Sequence, residues 1–169
     1  MREVSRGPKG AWAILALAAG LLAATISVAM ARGSPPTTDI AVLVNSKNPI
    51  QDISLSDLRQ IFRGERQFWN GKLPVMLLIR APGSQARDVT LRVVYQTDEP
   101  NYRKYWLGKI FRAESVSEPV AVDSSQLMNE GLRAFPGAIG CEDARRVLGD
   151  VKVVRVNGHL PGDAGYPLH

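Results

Sequence analysis

Cysteine is nearly absent: the chain of 169 residues has one, Cys141. A disulfide framework, a zinc ribbon and a four-cysteine iron–sulfur site are thereby excluded. Histidine is almost as scarce. His159 and His169 both fall in a C-terminal stretch rich in Gly and Pro, which leaves no basis for a histidine triad or a histidine metal cluster. No Gly-x-Ser-x-Gly elbow occurs. Gly64 and Gly71-Lys72 lack the spacing of a phosphate-binding loop, and Leu73 stands where Ser or Thr is needed. No block of five like charges is present, so the net charge of +5 describes no nucleic-acid patch. Part of that charge belongs to the first 31 residues, where Arg2, Arg6 and Lys9 face only Glu3.

Residues 1–31 form a separate unit. A basic start precedes an apolar run from Ala11 to Met30, and Ala29-Met30-Ala31 is a small-x-small cleavage pattern. This reads as a secretory signal peptide. The run is also long enough to stay uncleaved as an N-terminal membrane anchor, since about 20 residues span a bilayer. Both readings place the remainder in the periplasm or outside the cell. Residues 32–38 are a Ser/Pro/Thr linker, residues 39–158 the globular domain, and residues 159–169 an aperiodic tail expected to fray.

Within the domain, apolar runs at 40–44 and 75–79 read as strands buried on both faces, and 151–156 as an alternating last strand. Between them lie capped helical patterns. Ser54 precedes Leu55, Leu58, Ile61 and Phe62 at helical spacing, and Gly64 ends the run. Ser84 starts a helix to about Gln96, with Ala86, Val89, Val93 and Val94 inward. Asp98 starts another, whose Tyr102, Tyr105, Trp106 and Ile110 share a face. Asp123 and Gln126 suggest a capping box for a helix ending near Phe135. Ala138 to Cys141 reads as a strand and Glu142 to Leu148 as a short helix. The fold class is α/β, with a mainly parallel or mixed sheet flanked by helices.

The chemistry concentrates where the second strand ends. Arg80 is followed by a Pro-Gly turn and by Ser84 at a helix start. Ligands of open α/β sheets sit beyond the carboxyl ends of strands, and a helix start offers unpaired N–H groups. Arg80 can present a planar fork to an oxyanion, Ser84 a hydroxyl, and Arg87 further charge. The competing reading is a capping serine among solvated arginines. Elsewhere Cys141 reads as a small core thiol. Trp69, Trp106, Tyr102, Tyr105 and Phe111 read as core or a lobe face. Glu142-Asp143 is an acidic pair at a helix start and not a metal site.

Leu55-Ser56-Asp57-Leu58-Arg59-Gln60-Ile61-Phe62-Arg63-Gly64, then Trp69, Gly71, Arg80-Ala81-Pro82-Gly83-Ser84 and Pro136-Gly137-Ala138-Ile139-Gly140 form an ordered set. In that order they resemble the substrate-binding proteins of bacterial phosphate ABC transporters, in the type 2 periplasmic binding protein superfamily. The resemblance runs from about Ile40 to Val156. It implies a single lobe of a two-lobed clamp, because the preceding lobe of the full-length relatives has no counterpart. The family's phosphate loop has Arg, three residues, then Ser-Gly-Thr. Arg80 and Ser84 keep the Arg and Ser, while Gln85 and Ala86 replace the Gly and Thr, so backbone N–H groups survive and one hydroxyl is lost. The implied ligand site is Arg80, Ser84, Gln85, Ala86 and Arg87, with no catalytic residue, metal or cofactor.

Two or three charge-assisted bonds on an open surface support affinity of about millimolar or weaker. Two functions follow as expectations. One is a non-enzymatic exported protein that contacts phosphate or another oxyanion weakly and is linked to phosphate-type ABC transport. The other is an extracytoplasmic interaction module that keeps the fold without a ligand and binds a transporter or another protein. The first requires Arg80 partly exposed in a concavity, within reach of Ser84. The second allows Arg80 to lie in a salt bridge.

Overall fold

The computed structural model describes residues 39–115 and 117–169. The proposed leader and linker, residues 1–38, lie outside the described residues. Among those described, no helix is long and apolar enough to cross a membrane.

The first apolar run forms β1 (Ile40–Asn45), buried throughout. After β2 (Asp52–Ile53) comes α1 (Leu55–Phe62), whose Ser54 cap accepts the Asp57 N–H. Phe68–Trp69 (β3) and Leu73–Pro74 (β4) pair as a hairpin, turned by Asn70 and Gly71 at positive φ. Strand β5 (Met76–Arg80) leads to α2 (Gln85–Val89). The pattern of one helix to Gln96 hides a change of pitch: Thr90–Tyr95 is a π-helical turn. It closes at Gln96, which sits at φ 56°. Helix α3 (Glu99–Phe111) carries Pro100 in its first turn, where a missing N–H costs nothing. Then follow β6 (Val120–Val122), α4 (Ser125–Ala134), β7 (Ala138–Asp143) and β8 (Val151–Val156).

The six-stranded sheet has the order β2-β8-β1-β7-β5-β6. Strand β1 runs antiparallel to both β7 and β8. The pairs β5–β7, β5–β6 and β2–β8 are parallel. The sheet is therefore mixed, as the strand–helix alternation implied. Residues of β1 alternate between two cores. Ile40, Val42 and Val44 join α1, the π turn and α3 on one face. Ala41 and Leu43 join Leu78, Met128 and Leu132 on the face covered by α4. Gly137 and Gly140 keep this arrangement close. A Cβ at Gly137 would stand 1.9 Å from the Pro74 carbonyl oxygen, and one at Gly140 would meet the Met128 sulfur at 2.5 Å.

Three expectations need correction. Glu142 and Asp143 do not start a helix. They prolong β7, because their backbones pair with Ala41 and Ile40, and only a 3-10 turn, Ala144–Arg146, follows. Ser124, not Asp123, caps α4, through the Leu127 N–H. The 159–169 tail does not fray. Leu168 is fully buried and Tyr166 nearly so. The tail's turns at Gly162 and Gly165 use positive φ, and Ile40 donates its N–H to the Leu168 carbonyl. The tail lacks periodicity because it docks through two side chains rather than through a regular face.

Candidate functional site

Arg80 ends β5 beside β7. The parallel register pairs Met76 with Ala138 and Leu78 with Gly140. Continued by two residues, it brings Arg80 opposite Glu142, and strand alternation puts both side chains on the α4 side with Leu78. The two form an ion pair, Arg80 Nη1 to Glu142 Oε2, at 2.6 Å. Arg80 is 7% exposed and Glu142 2%. Arg80 Nη1 also reaches Ser125 Oγ at 3.3 Å, and Nη2 donates to the Asp123 carbonyl at 2.9 Å. The second carboxylate oxygen of Glu142 accepts the Asp143 N–H. Arg80 Nε is buried without a partner.

The expected partial exposure of Arg80, and its approach to the Ser84 hydroxyl, are thus not what the structure shows. The physical reason is Glu142. A buried guanidinium takes the nearest buried carboxylate, because neither group has water to solvate it. Ser84 is engaged locally. Its hydroxyl donates to the Ala81 carbonyl and accepts the Arg87 N–H. Gln85 opens α2 at the surface, and Ala86 is buried, with its carbonyl accepting from the Thr90 hydroxyl.

Arg87 is not a free surface charge either. It is buried, gives Glu99 a two-pronged contact at 2.7 and 3.0 Å, and donates Nη1 to the Arg80 carbonyl. Its guanidinium also lies 4.8 Å from the centre of the Tyr102 ring. These bonds from Arg87, with others from Arg103, hold the Glu99 carboxyl below the usual carboxylate range. The contact's stabilisation is complete above the unfolded carboxyl value, about 4.3, and is lost as pH falls through the lower folded value. Glu99→Gln should therefore lower stability by a constant amount above about pH 5, with the gap closing on further acidification. Urea titrations of both proteins across pH check this; a gap independent of pH would refute it.

Arg80 and Arg87 are thus each matched by one carboxylate, and the loop carries no surplus positive charge. Nothing in the local sequence marks Glu142 or Glu99 as these partners. Only the β5–β7 register and the packing of α3 against the π turn bring them in. Cys141 is a core thiol, pushed up to about 12 by burial. Asp143 pairs with Arg145, and the described residues contain no group of His, Cys, Asp and Glu able to hold a metal ion. Of the aromatic set, Trp69, Tyr102 and Trp106 are core, whereas Phe111 is 81% exposed.

A second constellation gave no signal in the sequence beyond helical spacing. The hydroxyls of Tyr95 and Tyr102 and the indole N–H of Trp106 are buried with no hydrogen-bond partner. The Tyr95 and Tyr102 rings meet edge-on at 4.9 Å, and Tyr102 meets Trp106 at 6.5 Å. Burial raises both tyrosines above their ordinary value.

No protein-family model and no curated protein matches the chain. Solved structures do. A putative phosphate ABC transporter substrate-binding protein from Clostridium perfringens, solved with bound phosphate, superposes with TM-score 0.59 and 21% identity, over 73% of this chain and 46% of its own. An ABC-type phosphate transport receptor from Vibrio cholerae gives 0.58 and 18%, over 73% and 48%. A phosphate-binding protein from Stenotrophomonas maltophilia gives 0.51 and 17%, over 75% and 41%. The fold is therefore that of periplasmic binding proteins. More narrowly, it is the fold of phosphate ABC transporter substrate-binding proteins, and this chain spans less than half the length of those it matches.

Proposed function

We propose that this chain is a non-enzymatic, extracytoplasmic interaction module on a phosphate-binding-protein lobe, its anion-binding position filled by its own Glu142. The observation that carries this reading is the buried Arg80–Glu142 pair. An external oxyanion has to displace a carboxylate that is already desolvated and is tethered to the adjoining strand. A tethered competitor acts at high effective concentration, whereas free phosphate contacts with two or three bonds reach only about millimolar affinity. The partner on this reading is a transporter of the phosphate ABC type or another protein outside the cytoplasm. The export pattern of residues 1–31 supports that location.

The second reading keeps weak oxyanion contact at Arg80, Ser84, the backbone of Gln85 and Ala86, and Arg87. The buried, unpartnered Arg80 Nε favours it, because that nitrogen has a bond still to make. Calorimetric titration of the full chain with phosphate and with sulfate separates the two. The module reading expects no saturable heat up to about 10 mM, several times the millimolar affinity open to the bare site. Saturable phosphate binding in the wild type, lost in Arg80→Lys, would overturn it and establish the oxyanion reading.

A further inference from the structure

Helix α3 holds a lysine inward and a phenylalanine outward at its carboxyl end. Lys109 is buried. Its ammonium lies 5.5 Å from the centre of the Tyr105 ring and 3.8 Å from Glu114. Side chains two residues apart on a helix diverge by about 200°, so an inward Lys109 sends Leu107 and Phe111 outward. Leu107 is 55% exposed, Phe111 81%, and Ile110 is exposed beside them. The three stand at i, i+3 and i+4 and form one apolar face. Exposed apolar residues on monomers are ordinarily scattered singly, and a cluster marks a docking face.

Next to this helix end is a cavity of about 500 Å³, lined by Phe68, Val75, Leu77, Trp106 and Val120. Ala113, two residues past Phe111, borders it, while Phe111 itself does not. The volume lies within the range of sites that enclose whole small ligands, about 300–1,000 Å³, so a benzyl group fits. The exposed Glu118 also borders the cavity and forms no ion pair with any described residue. Lys104, exposed and two turns before Phe111 on the same side of α3, forms none either. The ring is thus accompanied by a spare cation, and the cavity by a spare anion. An anionic surface is opposed by Glu118, and an apolar small molecule leaves both charges unmet. The fitting occupant is an exposed ring with a cation about 10 Å from it, two helical turns away. The end of α3 is such a surface. Strand addition is no alternative route, because the sheet's edge strands β2 and β6 are only two and three residues long.

We propose that two copies of this chain associate about a two-fold axis at the end of α3, each inserting Phe111 into the other's cavity. The exchange is isologous, so Lys104 faces the partner's Glu118 twice. The interface is small and of the transient class, with a Kd of about 10–500 µM. Neither Arg80 nor Glu142 lines the cavity, so the proposal does not rest on that ion pair and the phosphate titration leaves it untouched.

Sedimentation velocity of the full chain from about 10 µM to 1 mM, a window that spans this affinity, should show a monomer–dimer equilibrium. Phe111→Ala removes two rings from the dimer and should weaken it at least about 100-fold, tenfold or more per ring. The ring is exposed, so the variant keeps its fold. Lys104→Glu and Glu118→Lys should each weaken the dimer about threefold or more, and the double variant should return to within about twofold of the wild type. Cross-linking locates the contact. Cys141 is buried, so a short bismaleimide should join chains carrying Lys104→Cys to chains carrying Glu118→Cys more than it joins either variant to itself. A chain that stays monomeric throughout overturns the proposal. So does a dimer of unchanged affinity in Phe111→Ala, or equal cross-linking in the mixture and in each variant alone.

Discussion

Arg80→Ala is expected to lower the unfolding free energy by about 3–5 kcal/mol, the range for removing one partner of a buried ion pair. The loss comes less from the attraction itself than from what stays behind. Glu142, 2% exposed, would keep a carboxylate in the interior with no cation beside it. The Ser125 hydroxyl and the Asp123 carbonyl would lose their donor as well. Because whole domains are stable by only about 5–15 kcal/mol, the variant should unfold at a much lower urea midpoint. The paired replacement Arg80→Met with Glu142→Leu removes both charges and keeps volume. It should return stability to about the wild-type level or above. Urea unfolding with an unchanged slope measures both. A loss below about 1 kcal/mol in the single variant is what a solvated surface pair would give, and it would refute the buried clamp. This outcome reverses what the isolated motif implies, namely an arginine dispensable for folding.

Truncation after Asp163 should be of similar size. It removes Leu168, fully buried, and Tyr166, 2% exposed, and burying a leucine alone is worth about 2–5 kcal/mol against alanine. It also strips the edge of β1. The Leu168 carbonyl accepts the Ile40 N–H at 2.8 Å, and the Tyr166 hydroxyl donates to the Ile40 carbonyl at 2.7 Å. Strand β1 lies between β7 and β8 in the sheet, so its first residue cannot fray without opening the core that Ile40 shares with α1 and α3. The combined loss is about 4 kcal/mol or more, a fall in Tm on the order of 10–20 °C for a domain of this size. Differential scanning calorimetry of full chain and truncation gives the answer. A fall of under about 2 °C would be that of a frayed end and would contradict the packing of Tyr166 and Leu168. Leu168→Ala alone should give roughly half the effect.

Most elements were legible in local sequence, apart from the strand end at Glu142-Asp143 and the π turn. Val42 to Val44, Leu77 to Ile79 and Val151 to Val156 are strands because continuous or alternating apolar runs of that length have no other way to hide. Ser54, Ser84 and Asp98 start helices because their oxygens satisfy N–H groups that a helix start leaves unpaired. Asn70-Gly71 turns a hairpin through positive φ. Those signals are local, each settled within about one helical turn. The ordered motifs from Leu55 to Gly140 also pointed to the binding-protein fold that the solved structures share. Which charges meet was set by the packing of segments far apart in the chain. Glu142 lies 62 residues from Arg80, and it reaches it because β7 inserts beside β5 in parallel register, so a motif that reads as an open anion site becomes a closed pair. The π turn that sets Tyr95 beside Tyr102, and the tail that docks on Ile40, were hidden for the same reason. A side chain's partner depends on packing between distant segments, and no periodicity in one segment records it.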